Sequence, residues 1–261
     1  MEIALEVIAA DDSRLFAGRG TDLVQFDLMN LPFRSGDRIA ITCDEDEAEL
    51  EVLLDPSLGS SRIFLTSGRF EFPIPFDKRR RAYPPAAFIG NRIWGYARVL
   101  DPRERSNYRN LSLNAYDLPD ASAVFPHASS NSGAVDDRFL ARNAIDGVTQ
   151  TCLHGEWPYG SWGINCRDDA WLRVDFGRTV EACELRLFNR ADFPHDSWWE
   201  SAELVTSDGE VRSLKLCKTG DAQIFDLGGK HIEWLRLQQL HRGDDGQFPA
   251  LSQLQVWGRS A

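Results

Sequence analysis

Two loop-like segments gather the side chains best suited to hold a small polar ligand. Residues 154–163 read HGEWPYGSWG and residues 189–199 read NRADFPHDSWW, and together they carry four of the chain's eight tryptophans. Glycine and proline interrupt both segments, so neither is a regular core strand. A sugar ring has an apolar C–H face and a polar rim, and its recognition needs an aromatic platform beside planar donors and acceptors. We therefore predict a saccharide-binding surface built from His154, Trp157, Tyr159, Trp162, Arg190, Asp192, His195, Asp196, Trp198 and Trp199.

The second segment leaves two further interpretations open. Trp198 and Trp199 are adjacent. Neighbours on an extended chain point to opposite sides, so we expect one of the two to plug the open end of its domain. Asp192 and Asp196 flank His195 and could serve a hydrolase as acid and base. Loops rich in turn-forming residues often carry such acids, and binding without catalysis is therefore the prediction.

Residues 143–147, which read NAIDG, combine a carboxylate with a tight turn. Asp146 supplies the carboxylate, Gly147 lets the backbone bend, and Thr151 follows with a hydroxyl oxygen. Calcium takes about 6–8 oxygen ligands, which backbone carbonyls and the Asn143 amide could complete. In the alternative interpretation, the same side chains hydrogen-bond a rigid turn without a metal.

The elements that must position these residues are almost all strands. Two-residue hydrophobic alternation recurs along the chain, and glycine-containing turns separate the alternating runs, for example at residues 172–176, 183–187, 235–238 and 254–256. Many short strands at regular spacing predict β-sandwiches. A polar stretch near Leu118 divides the strands into two groups. We predict an all-β chain of two sandwiches, residues 1–118 without an assigned function and residues 119–261 with the candidate site.

Four segments of the second half carry a resemblance to a known family. They read FPHASSNS from Phe125, ARNAIDG from Ala141, WLRVDFG from Trp171 and LQVWG from Leu254. In this order and spacing they resemble the discoidin, or coagulation factor V/VIII C-type, domain, whose fold the family-32 carbohydrate-binding modules share.

The resemblance covers residues 120–261 and carries its own expectations. It implies an eight-stranded galactose-binding-like jelly roll whose loops at one end hold the ligand. In the family an arginine that contacts the ligand commonly stands at the place of Arg190, and the turn at residues 143–147 often binds calcium. A glutamate in the last strand closes that calcium site. The matching residue here is Gln253, which offers an amide oxygen but no charge, so calcium affinity should fall.

Composition excludes several classes of protein. Of the 261 residues, 43% are hydrophobic and 26% charged, which excludes a disordered chain. The net charge of −11 repels phosphate, so nucleic acid and anionic lipid are not expected partners. No apolar run is long enough for membrane insertion. The acidic N-terminus and five cysteines without a CxxC pair predict a cytoplasmic protein, and the basic run at residues 78–81 is interpreted as a solvated loop.

These observations favour a non-enzymatic protein that binds a saccharide or glycoconjugate. The first alternative is a structural protein that uses the same aromatic loops as a homo-oligomer interface. The second is an enzyme that acts on a glycan through Asp192 and Asp196.

Overall fold

The computed structural model describes residues 1–134, 136–191 and 197–261, and its fold is all-β, as predicted. Asp192, His195 and Asp196 lie outside the described residues, so the predictions made for them stay predictions. Within the described ranges, no helix has the length and apolar character needed to cross a membrane.

The first unit comprises two antiparallel sheets. Alternate side chains of their strands, such as Val24, Phe26 and Leu28, point into one core, because successive residues of a strand face opposite sides. The sheet orders are β2-β1-β4-β7 and β10-β6-β5-β8-β3. The strands are β1 (Glu2–Ile8), β2 (Arg14–Thr21), β3 (Leu23–Met29), β4 (Arg38–Cys43), β5 (Ala48–Leu53), β6 (Ser61–Leu65), β7 (Arg69–Pro73), β8 (Arg92–Val99) and β10 (Val124–Phe125).

The second unit is an antiparallel sheet of eight strands ordered β12-β17-β13-β16-β14-β15, with β11 beside β13 and β9 beside β17. The long strand β13 breaks register after Asp175 and after Ala182, where the sheet bends around its core. Gly177 lies in the first break with φ +68°, and a Cβ there would stand 2.3 Å from the Phe125 ring. The strands are β9 (Arg109–Asn110), β11 (His127–Ser130), β12 (Trp162–Gly163), β13 (Leu172–Asn189), β14 (Trp199–Thr206), β15 (Val211–Lys215), β16 (Gln223–Arg242) and β17 (Ala250–Ser260).

The chain passes between the two units more than once. A short helix, α1 (Pro102–Arg105), leads to β9, which pairs with β17 of the second unit. The chain then returns to the first unit, where Tyr116 packs in the core and β10 pairs with β6. A boundary at Leu118 therefore falls inside a segment that both units share.

Paired charges join the two units, and we call this set of contacts the joint. The Glu49 carboxylate of β5 accepts hydrogen bonds from Arg178 Nη2 at 2.7 Å and from Arg109 Nη2 and Ser260 Oγ at 3.2 Å. The Glu49 side chain is 9% exposed. Burial, with the nearby charge of Arg178 as a smaller cause, lowers the pKa of Arg109 to about 10.

The basic run at residues 78–81 also belongs to the joint. It lies in a 3-10 helix, Asp77–Ala82, whose Arg81 contacts the Glu156 carboxylate at 2.8 Å. The Arg81 carbonyl accepts a hydrogen bond from the Trp157 amide at 2.9 Å. Lys78 and Arg79 are exposed, so the solvated character predicted for this run holds for its first half, while Arg81 contacts the second unit. Two further 3-10 helices of the described residues, Asp137–Phe139 and Ala141–Ala144, flank the candidate site.

Candidate functional site

A cleft of about 410 Å³ opens at one end of the second unit. The loops before and after β12, the end of β13 and the loop between β16 and β17 form its walls. We call it the Arg190 cleft. Its lining residues are Ala134, Asp136, Phe139, His154, Gly163, Ile164, Asn165, Arg190, Ser197, Gly246, Gln247, Phe248, Pro249 and Ala250.

Arg190 follows directly after β13 and is 5% exposed. Its Nη1 donates to Ser161 Oγ at 3.3 Å and its Nη2 to the Phe248 carbonyl at 3.1 Å, while its backbone N–H bonds to the Ala250 carbonyl at 3.0 Å. Two loops therefore fix the guanidinium against the cleft wall. A planar, permanently charged fork of donors held in this way is preorganised to recognise oxygen acceptors.

Two phenylalanines supply the apolar surface of the cleft. Phe248 is 61% exposed, an unusual position for a ring of this size. Phe139 also lines the cleft, and the guanidinium carbon of Arg138 stands 5.5 Å from its ring centroid. Aromatic faces beside polar groups form the kind of surface that holds a sugar ring.

Asp136 is the carboxylate among the described lining residues. Arg138 donates to its two oxygens, from Nε at 2.8 Å and from Nη2 at 2.6 Å. These hydrogen bonds lower the pKa of Asp136 to about 2. Asp136 is therefore ionised throughout the neutral range and accepts hydrogen bonds. Exposed Asn165 and Gln247 add amide groups that both donate and accept.

Two of the predicted contact residues, His154 and Arg190, line the cleft. Trp157 does not. It is half-buried in a crevice of about 70 Å³ between the units, which we call the Arg142 crevice, beside Tyr83, Arg142 and Asp146. Tyr159 and Trp198 are also partly buried and are absent from the cleft lining; a Cβ at Gly243 would lie 2.2 Å from the Trp198 ring.

The prediction that Trp162 and Trp199 contact a ligand is wrong. Trp162 in β12 is 0% exposed and Trp199 in β14 is 2% exposed, and their ring centroids are 5.8 Å apart in the second core. Trp162 Nε1 donates to Ser130 Oγ at 2.9 Å. Both strands turn these rings inward, so the predicted convergence of indole rings at one rim does not occur. The expectation that one of the adjacent pair Trp198 and Trp199 is buried is confirmed.

Sequence reasoning missed Phe139, Phe248 and the amides beside them. Residues 244–249 read DDGQFP, and the turn-forming DG pair and the proline indicate a loop between two strands. A large aromatic residue inside such a loop was the available signal, since a loop ring has no strand face to bury it.

Two of the predicted calcium ligands, Asn143 and Asp146, already take part in hydrogen bonds within the protein. The Asn143 amide nitrogen donates to the Asp137 carbonyl at 2.8 Å, and its oxygen accepts from Arg142 Nη1 at 3.1 Å. Asp146 accepts from the Val148 amide at 2.8 Å, and burial raises its pKa to about 7 against the opposing effect of Arg142. Gly147 has φ +91°, as the predicted tight bend requires.

The remaining two predicted ligands are Thr151, which is 7% exposed, and Gln253 in β17, which is fully buried. Neither amide atom of Gln253 has a hydrogen-bond partner. Across the described part of the chain, no group of three or more histidine, cysteine, aspartate or glutamate side chains is arranged to hold a metal ion.

The chain is similar to solved structures of sugar-binding modules. No protein-family model and no curated protein matches it. A mutant lectin-binding domain of Lectinolysin complexed with Lewis b is 18% identical, with a TM-score of 0.43, over 60% of this chain and 99% of that one. A fucose binding module of Streptococcus pneumoniae is 15% identical, with a TM-score of 0.40, over 57% and 96%. The family 32 carbohydrate-binding module of C. perfringens NanJ, in complex with galactose, is 16% identical, with a TM-score of 0.39, over 50% and 91%.

These neighbours are lectin and carbohydrate-binding modules. At such low identities and TM-scores, the likeness alone assigns neither ligand nor activity to this chain.

Proposed function

We propose that the protein binds a saccharide in the Arg190 cleft and catalyses no reaction on it. The observation that carries the proposal is the juxtaposition of a buried, doubly anchored arginine with the 61% exposed ring of Phe248 in one cleft. The ring offers an apolar face for C–H groups, and the guanidinium offers fixed donors for hydroxyl oxygens.

The remaining lining residues suit the polar rim of a sugar. Asp136 accepts hydrogen bonds from hydroxyl groups, while Asn165 and Gln247 both donate and accept. Since Arg138 holds Asp136 in place before any ligand arrives, little ordering entropy is lost on binding. A volume of about 410 Å³ accommodates one or two sugar rings.

The same geometry argues against catalysis at the described lining residues. Glycoside hydrolysis needs two carboxyl groups, one of which keeps a proton near neutral pH. Among the described lining residues Asp136 is the one carboxylate, and a pKa of about 2 leaves it without a proton to donate.

The test is a binding titration with a panel of monosaccharides and oligosaccharides that includes galactose, fucose and the Lewis b glycan. Phe248→Ala should weaken binding about 10-fold or more, because one wall of stacking area is lost. Arg190→Gln should abolish measurable binding. Trp94→Ala is the matched control, since Trp94 is 47% exposed on the first unit and far from the cleft lining.

The oligomer-interface alternative predicts a different result. In that case, light scattering would show an oligomer that Phe248→Ala dissociates, with no glycan bound by the wild type. A wild-type monomer that binds a glycan, and loses it in Phe248→Ala but not in Trp94→Ala, supports the saccharide site. Equal glycan affinity in the wild type, Phe248→Ala and Trp94→Ala contradicts the saccharide site.

A further inference from the structure

We propose that Arg142 replaces the calcium ion at the turn of residues 143–147, so that the loops beside the Arg190 cleft are held without a metal. Arg142 precedes this turn and is 4% exposed. The proposal concerns the support of the cleft, and its test does not depend on which ligand the cleft binds.

The Arg142 guanidinium already donates to one side-chain oxygen of the predicted ligand set and to two backbone carbonyls. Its Nε donates to the Asp117 carbonyl at 2.9 Å and its Nη2 to the Ala115 carbonyl at 3.0 Å. Its Nη1 donates to the side-chain oxygen of Asn143 at 3.1 Å. Backbone carbonyls and an amide oxygen are typical calcium ligands, and here each of the three accepts a hydrogen bond from one fixed cation.

A stacking contact with an aromatic ring also holds the flat face of the guanidinium. Its central carbon lies 4.3 Å from the ring centroid of Tyr83, which is 6% exposed in the first unit. Arginine favours this stacked arrangement, which combines cation–π attraction with van der Waals contact. Stacking on the Tyr83 ring and three hydrogen bonds therefore hold Arg142 in this position.

Charge balance argues in the same direction. Of the four predicted ligands, Asn143, Thr151 and Gln253 are neutral, and Asp146 alone supplies a carboxylate. Asp146 lines the same crevice as Arg142, whose positive charge opposes the rise that burial causes in the pKa of that carboxyl. A divalent ion added there would bring two uncompensated charges close to a guanidinium, and burial makes such like-charge repulsion severe.

A chain of hydrogen bonds shows what this arginine supports. Asn143, held through its oxygen by Arg142, donates from its amide nitrogen to the Ser161 carbonyl at 3.3 Å. The Ser161 hydroxyl in turn accepts from Arg190 Nη1 at 3.3 Å. The carbonyls of Ala115 and Asp117 are thereby linked to the cleft wall, and Arg142 acts as a positioning residue for Arg190.

The test is thermal unfolding of the full chain in excess EDTA and in excess calcium chloride, with calcium titration by calorimetry. We expect the same Tm in both conditions. A calcium ion bound at a concentration 100 times its Kd would instead raise the Tm by roughly 5–10 °C. A calcium-dependent rise in Tm that Asp146→Asn abolishes would overturn the proposal. A calcium signal that persists in Asp146→Asn comes from another site and leaves this turn metal-free.

Variants of Arg142 then separate its positioning role from simple stability. Arg142→Ala should lower the Tm by roughly 5–10 °C in either condition, because buried carbonyls lose their donors. Arg142→Lys keeps the charge but not the three-pronged geometry, and should give a smaller fall with a weakened affinity for whichever panel sugar binds the wild type. If Arg142→Ala does not fold, the wild-type comparison in calcium and EDTA still decides the question. An Arg142→Ala variant with the wild-type Tm contradicts the proposal.

Discussion

Two buried arginines of the second unit lie in very different surroundings. Arg142 in the joint is enclosed: three oxygens accept from it and the Tyr83 ring covers its face. Arg190 is as well buried, but it borders an open cleft of about 410 Å³ beside the exposed ring of Phe248. Burial alone therefore does not separate a structural arginine from a binding one. The adjacent open volume does.

The same contrast extends to the joint and the cleft as regions. The joint buries charged groups against each other, as at Glu49 with Arg109 and Arg178. The cleft keeps its amides and its largest ring exposed. Substitutions in the joint should therefore act on the free energy of unfolding, and substitutions in the cleft on ligand affinity.

The largest expected effect is that of Glu49→Gln in the joint. Removing the carboxylate leaves Arg109 and Arg178 buried close together without a counter-charge, which should cost roughly 3–5 kcal/mol of unfolding free energy. The expected fall in Tm is roughly 10 °C, measured by calorimetry. Glu233→Gln, an exposed residue that makes the same change in net charge, is the control. Equal effects of the two substitutions would show that the joint is not held by this charge cluster.

Sequence patterns predicted the strands whose buried face alternates with a polar one. The alternating runs at residues 172–176, 235–238 and 254–256 lie within β13, β16 and β17. In contrast, β2 escaped prediction, because its residues are mostly exposed and show no apolar alternation. Strand pairs that cross between the units, such as β9 with β17, depend on contacts distant in the sequence, and no local pattern reports them.

The candidate site shows the same limit. Arg190 was identified because its place in the motif order matched a family position, and it lies in the cleft. Trp162 was misassigned because its direction depends on pairing with Leu251, nearly ninety residues away. Composition identified loops that contribute to the candidate site, but the side of the sheet to which each ring points is set by register.

Trp157→Ala tests the contrast at the residue where sequence and structure disagree. The ring is half-buried in the Arg142 crevice, so its loss should cost about 1–2 kcal/mol of unfolding free energy, measured by urea titration. Glycan affinity in the Arg190 cleft should stay at the wild-type value, since Trp157 does not line it. Trp94→Ala, which removes an exposed ring from the first unit, controls for the loss of an indole. A loss of glycan affinity without a change in unfolding free energy would instead show that Trp157 contacts the glycan.

The smallest expected effect concerns pH and the pair formed by His127 and Asp117 in the joint. His127 Nδ1 lies 2.8 Å from Asp117 Oδ1. Burial lowers the pKa of His127, but the hydrogen bond to Asp117, with the nearby Asp175 and Asp120 carboxylates, outweighs burial and raises it. The folded state therefore favours the protonated ring. This contribution is complete below the unfolded pKa of 6.5 and is lost as pH rises through the higher folded value.

His127→Gln removes this titration while keeping a side chain that can hydrogen-bond. The wild type should exceed the variant in unfolding free energy by on the order of 1 kcal/mol at pH 6, as expected for one charge-assisted hydrogen bond, and the excess should shrink toward pH 9. Urea titrations at several pH values measure it, and the titrating groups that do not interact with His127 cancel because both proteins share them. A difference that stays constant or grows with pH would mean that the neutral ring is the form the joint prefers. In that case the protonated form of His127 would not stabilise the folded state.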